Sequence, residues 1–301
     1  MTASVGGRRY VAALAPLFAA AIWGGMYVVS KWGFDLIPPL TLGFLRVAVG
    51  AAALYAVVRA RGVAVDRADY RGFAVLGGWV AVTIATQFLG TELTNASQGS
   101  LLTVLTPVFT VVLGAAVLGE DVTRRSAGGM ALAAVGTLLV LAGQYDLTRL
   151  GGASAAGVGA LVLASLAWAG YTVWGVPLVR KYSALTAATY SCLASLPALA
   201  ALSAAELAVR APPLAAMLSP GALLAVAYLG LGSTAAAWYL WYKGLETVSA
   251  GTVAAFFFAQ PLVGAALGAA LLGEAIGPWF VVGGATMAAG IWLVSTAADG
   301  I

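Results

Sequence analysis

The sequence contains no histidine and one cysteine, and only 9% of its 301 residues are charged. Without histidine the commonest transition-metal ligand is missing, along with the side chain most often used as a general base near neutral pH. Cys192 stands alone in an apolar stretch, which excludes an intrachain disulfide and leaves redox and zinc chemistry without their usual ligands. The acidic residues number eleven and are spread singly instead of clustered. A membrane-embedded enzyme needs a nucleophile, an acid–base pair or a metal site gathered near one interface, and no such gathering exists. The expectation is a protein without cofactor or metal that is not an enzyme.

What is abundant is apolar surface. Hydrophobic residues make up 62% of the chain and the mean hydropathy is +0.97, more than one soluble core can hide. The net charge of +4 and isoelectric point near 9.3 do not point to nucleic acid, because the basic residues fall between apolar stretches without interleaved aromatics. Cutting at charges, prolines and polar clusters leaves ten apolar segments: 10–31, 39–59, 70–91, 96–118, 125–143, 155–177, 184–208, 220–242, 249–272 and 277–297. Each is long enough for a tilted helix across a hydrocarbon core of about 30 Å. The run after Arg8 and Arg9 reaches Ser30, longer than a signal-peptide core, and reads as a retained first span.

Short cytoplasmic loops keep positive charge during insertion. An inside N-terminus puts Arg8, Arg9, Arg59, Arg61, Arg67, Arg71, Arg124, Arg125, Arg180, Lys181 and Lys243 in the cytoplasm, against Lys31, Arg149 and Arg210 outside. An even number of spans returns the C-terminus to the cytoplasm. The expected location is the bacterial inner membrane, as a multi-pass protein.

Compared with itself at an offset of 154, the chain aligns Glu92–Glu120 with Glu246–Glu274. Pro107 falls on Pro261, and Gly129 and Gly136 fall on Gly283 and Gly290. A weaker pairing of the stretches around Trp23 and Trp168 extends the duplication upstream. This divides the chain into halves, 1–147 and 148–301. Each half has an odd number of spans, so the second enters the membrane inverted, an arrangement that lets two bundles rock about a central site. The fold expected is an all-α membrane protein of ten transmembrane helices, built as two inverted five-helix repeats around a central cavity.

These residues resemble the EamA-type carriers of the drug/metabolite transporter superfamily. The resemblance rests on Ala21-Ile22-Trp23-Gly24, Lys31, Pro38 and Phe44-Leu45-Arg46, then on Ala96 through Thr106-Pro107 to Leu118-Gly119-Glu120, with a second copy ending at Leu272-Gly273-Glu274. It implies ten helices in a basket around a cavity, and export of amino acids, related metabolites or drugs. The aromatic content makes the chain look like the bacterial amino-acid exporters. It departs from two-fold symmetry at Lys31 and Arg46, whose aligned positions near Val176 and Tyr190 are uncharged.

Candidate site residues follow from what is polar or aromatic at mid-membrane depth. Pro107 and Pro261 each remove a helix hydrogen bond and release the carbonyl four residues earlier, on Thr103 and Phe257. Thr106 and Gln260 add donors and acceptors beside them; the alternative is helix bends with Gln260 bonding a neighbour. Trp23, Tyr27, Trp79, Trp168, Tyr171, Trp238 and Tyr239 are also candidates, several of them too deep for an interfacial belt. Trp79, Thr83 and Gln87 recur every four residues on one helix face. Tyr55, Trp241, Tyr242, Trp279 and Trp292 read as interface anchors.

Arg46 is the intramembrane charge, and two readings stand: a structural lock on carbonyls, or an attractor for a substrate carboxylate. Gly264 and Gly268 form a close-packing motif whose expected use is packing within a monomer, not dimerisation. The expected activity is export of small organic solutes, amino acids of aromatic or neutral type or related metabolites, by alternating access without obligatory proton exchange. Multidrug or cation efflux is the alternative. The partners are a small-molecule substrate and the lipid bilayer.

Overall fold

The computed structural model describes residues 3–63, 65–94, 102, 105–144, 155–260, 263 and 277–297. Among them the chain is helical, with no strand. The helices are α1 (Ala3–Gly24), α2 (Met26–Gly33), α3 (Pro39–Ala60), α4 (Tyr70–Leu93), α5 (Leu105–Leu113), α6 (Arg124–Gln144), α7 (Ala155–Tyr182), α8 (Ala184–Arg210), α9 (Leu214–Met217), α10 (Pro220–Ala227), α11 (Ala237–Leu245), α12 (Ala250–Ala255) and α13 (Pro278–Ala297). Among the described residues, six stretches are long and apolar enough to cross a membrane: Leu14–Gly33, Pro39–Ala60, Arg67–Leu93, Ala155–Tyr182, Ala184–Arg210 and Pro220–Leu245. Leu105–Leu118 and Val281–Val294 are shorter apolar helices. Thr103, Arg149, Pro261, Gly264, Gly268, Glu274 and the 147/148 junction lie outside the described residues.

Helix starts follow the local chemistry. Ser183, Ser219 and Ser249 accept hydrogen bonds from the amides of Thr186, Ala222 and Thr252 at 3.4, 3.3 and 3.2 Å, each satisfying an amide that the helix leaves unpaired. Pro39 and Pro220 sit in first turns, where a missing N–H costs nothing. Glutamates at helix ends reach across to other helices: Glu120 accepts from the amides of Ala250 and Gly251 at 2.8 and 3.1 Å, and Glu246 from Ala184 at 2.8 Å. A carboxylate at a helix N-terminus also meets the positive end of the helix dipole.

Several of the apolar segments, numbered as the sequence divides them, depart from plain α-helix. The first breaks at Gly25, where an added Cβ would lie 2.7 Å from the Tyr228 hydroxyl; that hydroxyl donates to the Ile22 carbonyl at 2.6 Å. The eighth widens into a π-helical run, Tyr228–Ala236, in which Thr234 donates back five residues to the Leu229 carbonyl at 2.9 Å. In the ninth, α12 tightens into a 3-10 turn at Phe256–Phe258. Pro107 lies within α5.

The packing relates the halves to each other. α6 and α13 run antiparallel with backbones in contact: a Cβ on Gly136 would lie 2.6 Å from the Gly283 carbonyl, and one on Gly129 would lie 2.8 Å from that of Gly290. Because Gly129 aligns with Gly283 and Gly136 with Gly290, exchanging the halves turns one contact into the other. The helix pairs obey the same exchange. α4 packs on α7 as α11 does on α1, while α3 meets α8, its own counterpart. Glycine at these crossings permits close van der Waals approach, which holds helices together where lipid offers no hydrophobic drive.

Large apolar side chains are exposed on the outer surface, including Phe18, Val112, Leu224, Val281, Trp279 and Trp292. Trp241 and Tyr242 overturn their reading as interface anchors, being fully buried. The Trp241 indole donates to Thr172 at 3.0 Å and the Tyr242 hydroxyl to the Tyr171 carbonyl at 3.0 Å.

Candidate functional site

A cavity of ≈ 460 Å³ of empty space, part of it open to solvent, lies between the halves. Trp23, Tyr27, Arg46, Thr83, Gln87 and Thr106 line it from the first half; Trp168, Trp238, Phe257 and Gln260 line it from the second. Its aromatic wall is continuous. Trp23 meets Trp168 edge-on at 5.2 Å and stacks on Phe257 at 5.4 Å, and Trp168 meets Trp238 at 5.2 Å. These geometries add to the apolar burial of each ring.

The break at Gly25 and the π-helical run bring the polar groups together. The Trp23 indole donates to the Ser233 carbonyl at 2.8 Å. Arg46 Nη2 donates to that same carbonyl at 3.1 Å, its Nε to Thr234 Oγ1 at 2.9 Å and its Nη1 to the Met26 sulfur at 3.1 Å. The guanidinium also lies 5.7 Å from the Phe88 ring centroid and 6.0 Å from that of Trp238, within range for cation–π attraction. Gln87 donates to the Tyr27 hydroxyl at 3.1 Å, and Gln260 Nε2 to the Trp23 carbonyl at 3.1 Å. Four buried polar atoms of lining residues have no partner among the described residues: Thr83 Oγ1, Trp168 Nε1, Trp238 Nε1 and Gln260 Oε1. Such atoms are rare in folded proteins, and at a cavity wall they mark groups available to a ligand.

Three predicted residues stand off the wall. Trp79 lies flat against Gly170, whose added Cβ would be 2.8 Å from the ring, and faces Trp174 at 5.6 Å. Each four-residue step turns about 40° around a helix, so Thr83 and Gln87 reach the cavity while Trp79 rotates into the α4–α7 seam. Tyr171 lies in the layer beyond Trp168, stacked on Tyr242 at 4.6 Å and sharing a hydrogen bond with Ser191 at 3.1 Å. Tyr239 is half-buried against the core, on a different face of α11 from Trp238. The sequence reading omitted Met26, Ile84, Leu161, Ala164 and Ser165, which also line the cavity. Helical spacing carried a signal for some of them, since Leu161, Ala164, Ser165 and Trp168 recur on one face.

The comparisons with known proteins agree with this architecture. The sequence pattern of the EamA-like transporter family matches the chain twice, over residues 10–142 and 155–296, and the chain belongs to that family. It is 25% identical to a probable amino-acid metabolite efflux pump of Salmonella typhimurium, with 92% of each chain covered. It is 27% identical to a probable terminal-alkyne amino-acid exporter of Streptantibioticus cattleyicolor, over 91% of this chain and 89% of that one. A crystal structure superposes with a TM-score of 0.78 at 21% identity, covering 97% of this chain and 100% of that chain, a likeness of fold.

Proposed function

We propose that the protein is a ten-span secondary carrier of two inverted five-helix halves that exports small amino-acid-like solutes from the cytoplasm by alternating access. The carrying observation is that the two halves share one cavity and are tied across it, by the bonds from Gln260 to Trp23 and from Trp23 and Arg46 to Ser233. A site built jointly by two related bundles can open to either side as one rocks against the other. The relatives named as exporters of amino acids or their metabolites support this substrate class. On this reading the protein acts as a monomer in the bacterial inner membrane, with both termini in the cytoplasm.

Counterflow into proteoliposomes preloaded with individual amino acids and amino-acid derivatives tests the reading. Accelerated uptake of labelled solute against a preloaded pool is expected for at least one aromatic or neutral compound. Uptake that is no faster than in protein-free vesicles for all of them would overturn it.

A further inference from the structure

The cavity contains a cation whose charge no described residue offsets. Arg46 is buried and lines the cavity, and its hydrogen-bond partners, Thr234, the Ser233 carbonyl and the Met26 sulfur, are all neutral. No described residue lining the cavity is acidic. Glu206, the acid on the neighbouring helix α8, is occupied elsewhere: it accepts from the Thr41 amide at 2.8 Å and the Leu40 amide at 3.2 Å, with Arg210 at 3.7 Å. An intramembrane charge is normally paired or faces a water-filled path, so the counter-charge is to be sought in whatever enters the cavity.

The remaining polar inventory points the same way. A guanidinium carries five N–H donors, more than its three bonds use. Trp168 Nε1 and Trp238 Nε1 are two further donors without partners, from residues that are 6% and 1% exposed. On the acceptor side, the neutral carbonyl of Gln260 is free, and the Thr83 hydroxyl can serve either way. Donors around one cation suit a carboxylate, whose two oxygens accept several bonds. One neutral carbonyl suits the single N–H of an amide.

We propose that the preferred ligand is an organic monoanion: a carboxylate on an aromatic or apolar body whose nitrogen, where it has one, is uncharged, as in an N-acylated aromatic amino acid. The proposal rests on the carrier reading of the same cavity and narrows it. A monoanion brings the site to neutrality. A zwitterion's carboxylate can pair with Arg46, but its ammonium then stands in a cavity where no described lining residue is acidic, and a cationic solute is worse still. The aromatic wall accepts the body of all three, so charge decides among them.

The test titrates the purified full-length protein, by intrinsic tryptophan fluorescence, with N-acetylphenylalanine, phenylalanine and phenethylamine. These share a benzyl body and carry net charges of about −1, 0 and +1 near neutral pH. The expected order is N-acetylphenylalanine at least about tenfold tighter than phenylalanine, with phenethylamine weakest. Arg46→Gln abolishes the preference and Arg46→Lys retains part of it. If the Arg46→Gln protein does not fold, the wild-type order decides alone. Equal affinities, a reversed order or no binding by any of the three overturns the proposal. Counterflow of the same compounds separates the two readings. Exchange of phenylalanine without N-acetylphenylalanine sinks the monoanion and leaves the carrier; tight N-acetylphenylalanine binding with no flux of any solute sinks the carrier and leaves the site.

Discussion

Gln260 donates its side-chain N–H to the backbone carbonyl of Trp23 at 3.1 Å, across 237 residues of sequence. The bond joins the helical turn after α12 to the end of α1, just before the break at Gly25, and it leaves the other half of the Gln260 amide, its carbonyl, buried without a partner among the described residues. One side chain thus both ties the halves and presents an acceptor.

Replacing Gln260 separates these roles. Gln260→Leu leaves the buried Trp23 carbonyl unpaired, which costs about 1–3 kcal/mol, and a lower melting temperature in detergent is expected together with slower transport. Gln260→Glu retains an acceptor but adds an anion to the cavity of Arg46. The expected outcome is weaker binding of carboxylates and stronger binding of amines, read by the same fluorescence titration. A Gln260→Glu protein with unchanged selectivity would mean the two groups do not sense each other.

Two tryptophans in one cluster respond differently to loss of the indole N–H. Trp241 donates to Thr172, so Trp241→Phe loses a buried bond worth about 1 kcal/mol net and lowers thermal stability. Trp168 has no such partner, so Trp168→Phe loses only the packing of the missing ring, as Trp241→Phe also does, and should cost about 1 kcal/mol less than Trp241→Phe. Its effect is expected on ligand affinity. Equal destabilisation by the two substitutions would show that the Trp168 indole is not free.

Much of this cavity was legible because its residues are rare types at helical spacing. Trp23, Tyr27, Arg46, Thr83, Gln87, Thr106, Trp168, Phe257 and Gln260 stand out against an Ala-, Gly- and Leu-rich background, and the structure brings them to one place. The misplacements have physical causes. Trp79 belongs to the same stripe as Thr83, yet 40° of rotation per four residues carries it into a seam. Trp241 and Tyr242 sit near a helix end, which suggested a belt, but spacing along one helix cannot reveal that α7 and α8 close over them. The π-helical run was invisible to the 3.6-residue period, although Gly230, Gly232, Ser233 and Thr234 are weak helix formers in a row. The Ser233 carbonyl that receives both Trp23 and Arg46 depends on it.

The glycine crossing of α6 and α13 supports a controlled stability prediction. A Cβ at Gly136 would lie 2.4 Å from the Met287 amide nitrogen, and one at Gly290 would lie 2.4 Å from that of Ala133, whereas one at Gly128 would meet nothing within 4 Å. Gly136→Ala and Gly290→Ala are each expected to destabilise by about 1–3 kcal/mol, as overpacking does. Gly128→Ala is expected to be neutral or slightly stabilising, since alanine is the better helix former. Melting curves of the three detergent-purified variants check this, and a Gly128→Ala protein as unstable as the others would discount the crossing.

Glu206 and Arg210 stand one turn apart on α8 and should differ sharply in weight. Glu206 is buried, accepting from two backbone amides and the Thr41 hydroxyl at the start of α3. Arg210 is largely exposed and forks onto Glu92. Glu206→Ala therefore orphans a helix start and is expected to cost about 2 kcal/mol. Arg210→Ala removes a partly solvated pair and should cost under about 1 kcal/mol. Thermal melts would rank the two, and a larger effect from Arg210 would mean the exposed pair carries the helix end.

The proposed inverted arrangement makes a prediction about sidedness that needs no substrate. Cys192 is fully buried, so the native protein should resist maleimides and serve as the background for introduced cysteines, with Cys192→Ser as a check. Arg61 and Leu214 are both exposed and, on the ten-span reading, are separated by five crossings. An odd number of crossings requires them to face opposite sides. In intact cells a membrane-impermeant maleimide should label Leu214→Cys directly and Arg61→Cys only after permeabilisation, because the excess of Lys and Arg belongs inside. Exchanged accessibilities would reverse the orientation and keep the inverted halves. Labelling of both from one side would make the number of crossings even, and two halves with an even count between equivalent loops cannot be inverted copies of each other.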